Sequence, residues 1–428
     1  MTQLPAAFTE KTRQLMGEER FERYLQSFEE EPPVSIRVNP RKMNSQRHTL
    51  TSVRDDGRWQ IAEGTPVPWC RNGYYLQKRP NFTMDPLLHA GCYYVQEAAS
   101  MFLDEALRQH LTSAVRPLTS LDMCAAPGGK STLLRSVLSE DCVLYSNEPI
   151  RNRANILLEN VTKWGYDNHI VTNNYPKDYR KSKMKFDLIL CDVPCSGEGM
   201  FRKDPATIRE WSPQNVEKCW QLQREIVDDA WACLNPGGLL IYSTCTFNTK
   251  ENEENIRYFL EQYDDMEVVP VDVKPEWNIT GSLLDGFHEP VYRFIPGITR
   301  SEGLFMCVLR KHGDCPSCEK RSGLQRDCPR NAQKLNIMTS DATHQTSDFR
   351  LDLSYQQAIA YLRHEALVLP EDTPRGLVTV CFQGHPLGLV KNIGSRANNL
   401  YPKEWKIKTT HIPNDYEAIL RHTESNTD

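Results

Sequence analysis

The chain has 428 residues, of which 25% are charged and 39% hydrophobic, with a formal net charge of −5. This length calls for two or three domains, and the negative balance leaves only local basic patches for contacts with nucleic acid. No apolar run is long enough for a membrane span, the start lacks a signal-peptide pattern, and several of the 14 cysteines fall in predicted buried strands, so we expect a cytoplasmic protein that binds no membrane.

Residues 1–116 are predicted to form an α+β region. The pattern is helical to about residue 30, ends at a proline pair, continues as an alternating strand at 34–38, and becomes helical again at 98–109. Arg37, Arg41, Lys42 and Arg47 lie on or after the strand and are candidate contacts for RNA phosphates. A charge run of this kind is more often a solvated face, so this assignment needs other support.

Residues 117–312 alternate between strand and helix patterns. The predicted strands are at 121–124, 142–147, 169–173, 186–191, 239–243, 266–271 and 304–310, and the predicted helices at 131–138, 151–163, 214–234 and 251–263. This alternation predicts an α/β domain with a mostly parallel sheet between helices, a Rossmann-like fold.

Residues 313–347 are polar and aperiodic, which predicts a linker, and residues 348–428 are predicted to form a separate β-rich module. The module contains a helical pattern at 355–364 and two strands around a turn at 383–386. His312, Cys315, Cys318 and Cys328 have a spacing that tetrahedral zinc tolerates. Because the segment has the composition of a linker, we assign no metal.

The sequence FDLILCDVPCSGEG at 186–199 is a buried strand followed by polar residues and a turn. Asp192 and Cys195 therefore stand at the carboxyl end of a strand, where open α/β sheets bind their ligands. The sequence LIYSTCTF at 240–247 has the same form and ends in Cys245. If these strands are parallel neighbours, both thiols face one crevice beside a carboxylate. A single cysteine is usually a small buried hydrophobe, but this combination favours a reactive site.

The sequence LDMCAAPGGKST at 121–132 is a small-residue turn between a strand and a helix, where backbone amides can approach a ligand. It is not an NTPase phosphate loop, because Cys124 stands where that loop needs its first glycine. Glu148 follows the next strand, at about the spacing of an acid that binds ribose hydroxyls. A glycine turn and a ribose acid without a dinucleotide fingerprint favour S-adenosylmethionine as the cofactor. A plain tight turn beside a surface glutamate is the alternative.

A thiol pair beside a carboxylate suits methylation at carbon 5 of a pyrimidine. Thiolate addition to carbon 6 makes carbon 5 nucleophilic, an acid near ring nitrogen 3 assists, and a second thiol or base helps to remove the carbon 5 proton.

Four of these motifs, in this order, resemble the Nol/Nop/Sun family of RNA cytosine-5 methyltransferases. They are DMCAAPGGK at 122–130, NEP at 147–149, DVPCSG at 192–197 and STCT at 243–246. PVSIRVNP at 33–40 and YYVQEAAS at 93–100 resemble the N-terminal region of the family. NIGSRANNLYP at 392–402 is similar to the C-terminal module of the RsmF-type bacterial members, which act on small-subunit ribosomal RNA.

The resemblance implies a role for each matching residue. Cys245 matches the nucleophile, Cys195 the cysteine that assists product release, and Asp192 the acid that touches both cytosine and cofactor. The cofactor loop matches Cys124, Ala125, Ala126, Pro127, Gly128, Gly129 and Lys130, and Glu148 matches the ribose acid. Asn174 stands where the family usually has an adenine-binding Asp, which is a departure.

The resemblance also implies a PUA-like, RNA-binding C-terminal module. Lys391, Arg396, Lys403, Lys406 and Lys408, interleaved with Tyr401 and Trp405, suit contact with an RNA backbone and base stacking. We expect a monomer whose partner is ribosomal RNA or the small ribosomal subunit. A catalytically silent, RNA-binding ribosome-assembly factor is the alternative function. A nucleotide-dependent oxidoreductase is a second alternative, but the chain lacks a dinucleotide fingerprint and the two cysteines are not a Cys-x-x-Cys pair.

Overall fold

The structure is a computed structural model that describes residues 4–44, 59–61, 64–111, 117–313, 334–338, 347–409 and 411–422. Its N-terminal part combines short helices with a small antiparallel sheet. The helices are α1 (Ala6–Met16), α2 (Glu18–Gln26), α3 (Pro40–Asn44), α4 (Pro86–His89) and α5 (Leu103–Leu111). The strands are β1 (Val34–Val38), β2 (Trp59–Ile61), β3 (Gly64–Pro66), β4 (Gly73–Leu76) and β5 (Tyr93–Val95), of which four pair in the order β3-β4-β1-β5.

The central part contains the large sheet. Its strands are β6 (Thr119–Asp122), β7 (Val143–Asn147), β8 (His169–Thr172), β9 (Phe186–Asp192), β10 (Leu234–Thr244), β11 (Met266–Val268), β12 (Tyr292–Phe294), β13 (Leu304–Lys311) and β14 (Ile337–Met338). Its helices are α6 (Gly129–Val137), α7 (Arg151–Trp164), α8 (Pro176–Ser182), α9 (Pro205–Glu210), α10 (Pro213–Cys233) and α11 (Glu253–Gln262).

The strands of this sheet follow the order β11-β13-β10-β9-β6-β7-β8-β14, with β12 on β13. The inner strands β10, β9, β6, β7 and β8 are parallel, so their carboxyl ends lie at one edge. Along β9, Leu188 and Leu190 pack into one apolar cluster, while Ile189 and Cys191 pack into another on the opposite face. Burial on both faces explains why this strand has a continuous apolar sequence, and it confirms the predicted Rossmann-like fold class.

The C-terminal part is β-rich. It contains β15 (Arg350–Asp352), α12 (Tyr355–Leu362), β16 (Gly376–Phe382), β17 (His385–Asn392), β18 (Ala397–Asn399) and β19 (Leu420–His422). The first four of these strands pair in chain order, and β19 pairs with β2. This part is not isolated, because Val380 and Val390 share one apolar cluster with Ile36 and Tyr93 of the N-terminal sheet. The Asp85 carboxylate accepts hydrogen bonds from the hydroxyls of Tyr93 (2.7 Å) and Tyr416 (3.1 Å) across that junction.

Two elements differ from the sequence predictions. Gly17, at φ 75°, divides the predicted first helix into α1 and α2. Residues 337–338, inside the predicted linker, form β14, which pairs antiparallel with β8. Its Met338 is buried beside Ala125 and Val171, so a short apolar sequence in a polar segment belongs to the central sheet. Of the zinc candidates, His312 lies 3.5 Å from Glu267, and Cys315, Cys318 and Cys328 are outside the described residues.

Across the described ranges, no helix is both long enough and apolar enough to span a bilayer.

Candidate active site

The two predicted cysteines lie together at the carboxyl edge of the sheet. Strands β9 and β10 pair in parallel, with Asp192 opposite Ser243, and each continues into the loop that contains a cysteine. The Sγ atoms of Cys195 and Cys245 are 3.1 Å apart, and the backbone N–H of Cys245 lies 3.3 Å from the Cys195 sulfur. Both residues are free thiols and partly exposed. One ligand in the crevice can therefore meet both sulfurs.

The backbone brings these loops into contact. Val193 donates to the Ser243 carbonyl at 3.0 Å, and Gly199 donates to the Cys245 carbonyl at 2.8 Å. A Cβ atom on residue 199 would lie 2.8 Å from that same carbonyl oxygen, closer than side-chain carbons approach. Glycine is therefore required at position 199 for the loops to meet.

The environment raises the pKa of the Cys195 thiol well above its ordinary value. The hydrogen bond with Cys245 is the largest cause, burial the second, and the negative charge of Cys245 and Glu251 adds to them. Cys195 therefore keeps its proton and can donate it to the sulfur of Cys245.

Asp192, the last residue of β9, is held by two side chains of other elements. Its Oδ2 atom is 2.9 Å from Lys130 Nζ, and its Oδ1 atom accepts from the Ser243 hydroxyl at 2.7 Å. Burial is the largest single effect and lowers the pKa of the Lys130 ammonium, but the charge and hydrogen bond of Asp192, together with other nearby negative charge, outweigh it and raise that pKa. Lys130 and Asp192 thus stay an ion pair, with the carboxylate one-third exposed toward the crevice.

The predicted cofactor loop connects β6 to α6. It includes Cys124, a cis bond between Ala126 and Pro127, and Gly128 at φ 115°, which begins the helix. Ala125 donates to the Asn147 carbonyl at 2.8 Å, which fixes the loop on β7. Burial raises the pKa of the Cys124 thiol, so this residue is a neutral wall of the loop.

A buried arginine of the N-terminal sheet supports this loop. The Arg37 guanidinium donates to Gln96 Oε1 (2.7 Å), Thr132 Oγ1 (2.6 Å) and the Gly129 carbonyl (3.2 Å). It also lies 4.5 Å from the centre of the Trp164 ring. Arg37 therefore joins the N-terminal part to helices α6 and α7, and it is not available to RNA phosphates as the sequence suggested.

Glu148 follows β7 and is 1% exposed. Its Oε1 atom accepts from the Ile150 N–H at 3.0 Å, and its Oε2 atom is 3.4 Å from Arg153. The carboxylate is thus fixed at the same sheet edge as the glycine turn, where it can accept hydrogen bonds from two neighbouring hydroxyls.

Asn174 follows β8, but its amide is already engaged. The side chain accepts from the backbone N–H of Asn336 at 3.0 Å and donates to the Asn336 carbonyl at 3.3 Å. Asn173 also donates to that carbonyl, at 2.9 Å. The amide therefore binds the segment before β14, a contact that the sequence did not predict.

In the C-terminal part, the prediction of base stacking on Tyr401 is wrong. Tyr401 is 3% exposed, because it packs against the rings of Tyr361 and Trp405. Trp405 is half-buried, with Lys163 of α7 5.6 Å from its ring centre. The predicted basic residues are exposed: Lys391, Arg396, Lys403, Lys406 and Lys408.

Sequence reasoning missed three buried polar groups near the cysteines. Asp122 ends β6, and burial, reinforced by the charge of Asp192 and opposed by a hydrogen bond from Ser131, raises its pKa to about 7. Glu198 and Glu251 are 2% and 0% exposed and stand on the loops that follow the cysteines. Asp122 begins the motif at 122–130 and the two glutamates follow the cysteine motifs, but a position in the sequence does not reveal burial.

Three family models match successive stretches of the chain. The N-terminal domain of 16S rRNA methyltransferase RsmF matches residues 4–98, and 16S rRNA methyltransferase RsmB/F matches residues 103–310. The methyltransferase RsmF PUA domain matches residues 349–407.

Relatives and solved structures agree with these models. A ribosomal RNA small subunit methyltransferase F from Escherichia coli O6:H1 is 34% identical over 94% of this chain and 96% of its own length. Its counterpart from Erwinia tasmaniensis is 28% identical over 94% and 96%. The crystal structure of a methyltransferase homologue from Pyrococcus horikoshii is 28% identical, with a TM-score of 0.57 over 71% of this chain and 94% of that one.

Proposed function

Because the chain belongs to the 16S rRNA methyltransferase RsmB/F family, we propose that it transfers a methyl group from S-adenosylmethionine to carbon 5 of a cytosine in small-subunit ribosomal RNA. The observation that supports this reaction most directly is the pair of sulfurs, 3.1 Å apart beside Asp192. A covalent route through carbon 6 needs one thiol to add and a second group to take the carbon 5 proton.

The residues around the glycine turn fit the proposed cofactor. The left-handed Gly128 opens the amino end of α6, and the fixed carboxylate of Glu148 suits a ribose diol. When bound, S-adenosylmethionine supplies an electrophilic methyl group on a sulfonium. The loop residues that would line one side of the cofactor are Cys124, Ala125, Ala126, Pro127, Gly128, Gly129 and Lys130.

In the proposed reaction, Cys245 is the nucleophile. Its thiolate forms a bond to carbon 6 of the cytosine, and the displaced electron pair makes carbon 5 nucleophilic. Asp192, held toward the crevice by Lys130 and Ser243, orients the polar edge of the ring during this addition. Carbon 5 then accepts the methyl group. Loss of its proton restores the ring double bond and expels the Cys245 thiolate.

The environment of Cys195 suits the release step. While Cys245 is free, the hydrogen bond between the two sulfurs is the largest cause that raises the pKa of Cys195. Once the Cys245 sulfur is bonded to carbon 6, it has no negative charge and that cause disappears. The pKa of Cys195 then falls, so the thiol releases its proton to solvent and the resulting thiolate can take the carbon 5 proton.

The cytosine must leave its stack to reach two partly exposed sulfurs at the carboxyl edge of the sheet, so we expect a loop or an extruded base as the target. The exposed lysines of the C-terminal part, with the half-buried Trp405, suit contact with RNA backbone near that target. The cytoplasmic location and the monomeric state stay predictions.

The test uses the full chain, 16S ribosomal RNA and methyl-labelled S-adenosylmethionine, followed by digestion to nucleosides. We expect the label in 5-methylcytidine and its loss in a Cys245→Ala variant. Label in any other nucleoside contradicts the proposal. RNA binding without any transfer, under conditions where the cofactor binds, favours the silent assembly factor instead.

A further inference from the structure

Two buried carboxylates connect the cysteine loops in a crosswise arrangement. Glu198 stands on the loop of Cys195, and its Oε2 atom accepts from the backbone N–H groups of Phe247 (2.8 Å) and Asn248 (2.9 Å), just after Cys245. Glu251 follows the loop of Cys245, and its Oε2 atom accepts from the backbone N–H of Ser196 (3.0 Å), next to Cys195. Each carboxylate therefore fixes the backbone beside the other loop's cysteine.

Neutral side-chain donors complete the hydrogen bonds of both carboxylates. Glu198 Oε1 accepts from the indole N–H of Trp211 at 3.0 Å, and Glu251 Oε2 accepts from the Gln223 amide at 2.7 Å. The Asn248 amide lies between the carboxylates, 3.1 Å from Glu198 and 2.8 Å from Glu251. Burying two carboxylates is costly unless several hydrogen bonds satisfy them, so this arrangement holds its loops in one geometry.

We propose that Glu198 and Glu251, the crossed carboxylates, are positioning residues that set the two thiols separately: Glu198 holds the loop of the nucleophile Cys245, and Glu251 holds the loop of Cys195. This inference rests on the proposed function. Glu198 and Glu251 are 2% and 0% exposed, so they do not touch the cytosine. Both act through the backbone, and the charge of Glu251 also raises the pKa of Cys195.

Backbone and side-chain N–H groups donate hydrogen bonds to these two carboxylates, so substitution by glutamine is a specific test. A glutamine at either position has one oxygen and one NH₂ group, so the NH₂ group must face a donor and one or more hydrogen bonds are lost. Shape and volume are nearly kept. The change therefore loosens one loop and leaves the other loop's carboxylate in place.

The two variants are expected to fail in opposite ways. In Glu251→Gln, Cys245 still attacks but Cys195 is misplaced, so a denaturation-resistant protein–RNA adduct accumulates as it should in Cys195→Ala. In Glu198→Gln, the attack itself slows and no adduct accumulates. In both, we expect kcat to fall about 10- to 100-fold, the range for a small misplacement of reacting groups, while KM for RNA stays within about threefold.

Glu254→Gln is the matched control, because Glu254 lies in the first turn of α11, just after Glu251, is only partly buried and accepts from the Thr249 hydroxyl at 2.7 Å. It should leave kcat and adduct levels unchanged. The proposal is overturned if both test variants behave like this control. It is also overturned if both lose activity only in proportion to their loss of thermal stability, with the same adduct behaviour.

Thiol alkylation tests the role of the crossed carboxylates even if a glutamine variant folds poorly or the reaction is a different one. Asn248→Ala removes the amide between the carboxylates and leaves both in place, so iodoacetamide should alkylate Cys195 and Cys245 faster than in the wild type. Unchanged alkylation overturns the inference. If Cys195→Ala itself gives no adduct, the proposed function fails, and faster alkylation of Cys245 in Glu198→Gln than in Glu254→Gln still decides the role of Glu198.

Discussion

The sulfur of Cys195 lies 3.1 Å from the sulfur of Cys245, at the ends of adjacent parallel strands that begin 48 residues apart in the chain (Phe186 and Leu234). The arrangement is asymmetric, because the hydrogen bond between the sulfurs and burial raise the pKa of Cys195, and the backbone N–H of Cys245, which donates to the Cys195 sulfur, lowers it by less. Cys195 is thus the thiol placed to donate its proton, which is what a division of labour between nucleophile and release group requires.

This asymmetry predicts a difference in thiol reactivity. Because the hydrogen bond with Cys245 is the largest cause of the raised pKa of Cys195, a Cys245→Ala variant should lower that pKa. The alkylation rate of Cys195 by iodoacetamide, followed by peptide mass spectrometry across a pH series, should then begin to rise at lower pH than in the wild type. Identical pH profiles for Cys195 in both proteins would show that the hydrogen bond does not control its ionisation.

We predict that replacing Arg37 greatly lowers the stability of the folded protein. Replacing it with Met leaves the acceptors on Gln96, Gly129 and Thr132 without their buried donor, and we expect a loss of about 2–4 kcal/mol. Urea unfolding followed by tryptophan fluorescence measures it.

Arg41→Met is the control for Arg37→Met, because Arg41 is exposed and bonds to Gly165 and Asp167 at the surface. Its effect should stay within about 0.5 kcal/mol. Equal losses in the two variants would contradict the buried role of Arg37.

We predict that the segment before β14 contributes to the affinity for the cofactor. Asn336→Pro removes the N–H that donates to Asn174, while Asn336→Ala keeps it. Since Met338 of the same segment packs beside Ala125 of the cofactor loop, loss of this anchor should weaken S-adenosylmethionine binding about fivefold, the worth of one hydrogen bond. Isothermal titration of the two variants tests this, and equal affinities would separate the segment from the cofactor site.

We predict that the protonation of Asp122 makes the stability of the fold depend on pH. Its pKa is raised from 3.8 to about 7, chiefly by burial, so the folded protein keeps a proton that the unfolded chain releases. Its contribution therefore favours folding at low pH and becomes less favourable as pH rises from about 4 to about 7. Asp122→Asn removes this dependence, so the melting temperature of the variant relative to the wild type should increase from about pH 5 to about pH 8. Parallel pH curves for the two proteins would mean that this carboxyl titrates normally.

Local patterns were sufficient to predict the central sheet and the approach of the two cysteines. The short, continuous apolar sequence before Asp192 is typical of a strand buried on both faces, and parallel neighbours bring their carboxyl ends together. The strand–helix alternation likewise placed the cofactor loop and Glu148 at one edge.

The contacts that the sequence did not predict join residues that are far apart in the chain. The engagement of Asn174 needs Asn336, and the burial of Tyr401 needs Tyr361 and Trp405. In the sequence, Arg37 is one of several basic residues on and after a predicted strand, and its contact with the Gly129 carbonyl of α6 forms only in the folded chain. Buried polar groups of this kind have no periodicity of their own, so only the packed chain reveals them.

The most direct test of the central claim mixes a Cys195→Ala variant with 16S ribosomal RNA and S-adenosylmethionine and then resolves the products under denaturing conditions. We predict a covalent protein–RNA species that forms only when Cys245 is present and that contains a methylated cytosine. Normal turnover by Cys195→Ala with no such species would contradict the assignment of the two sulfurs.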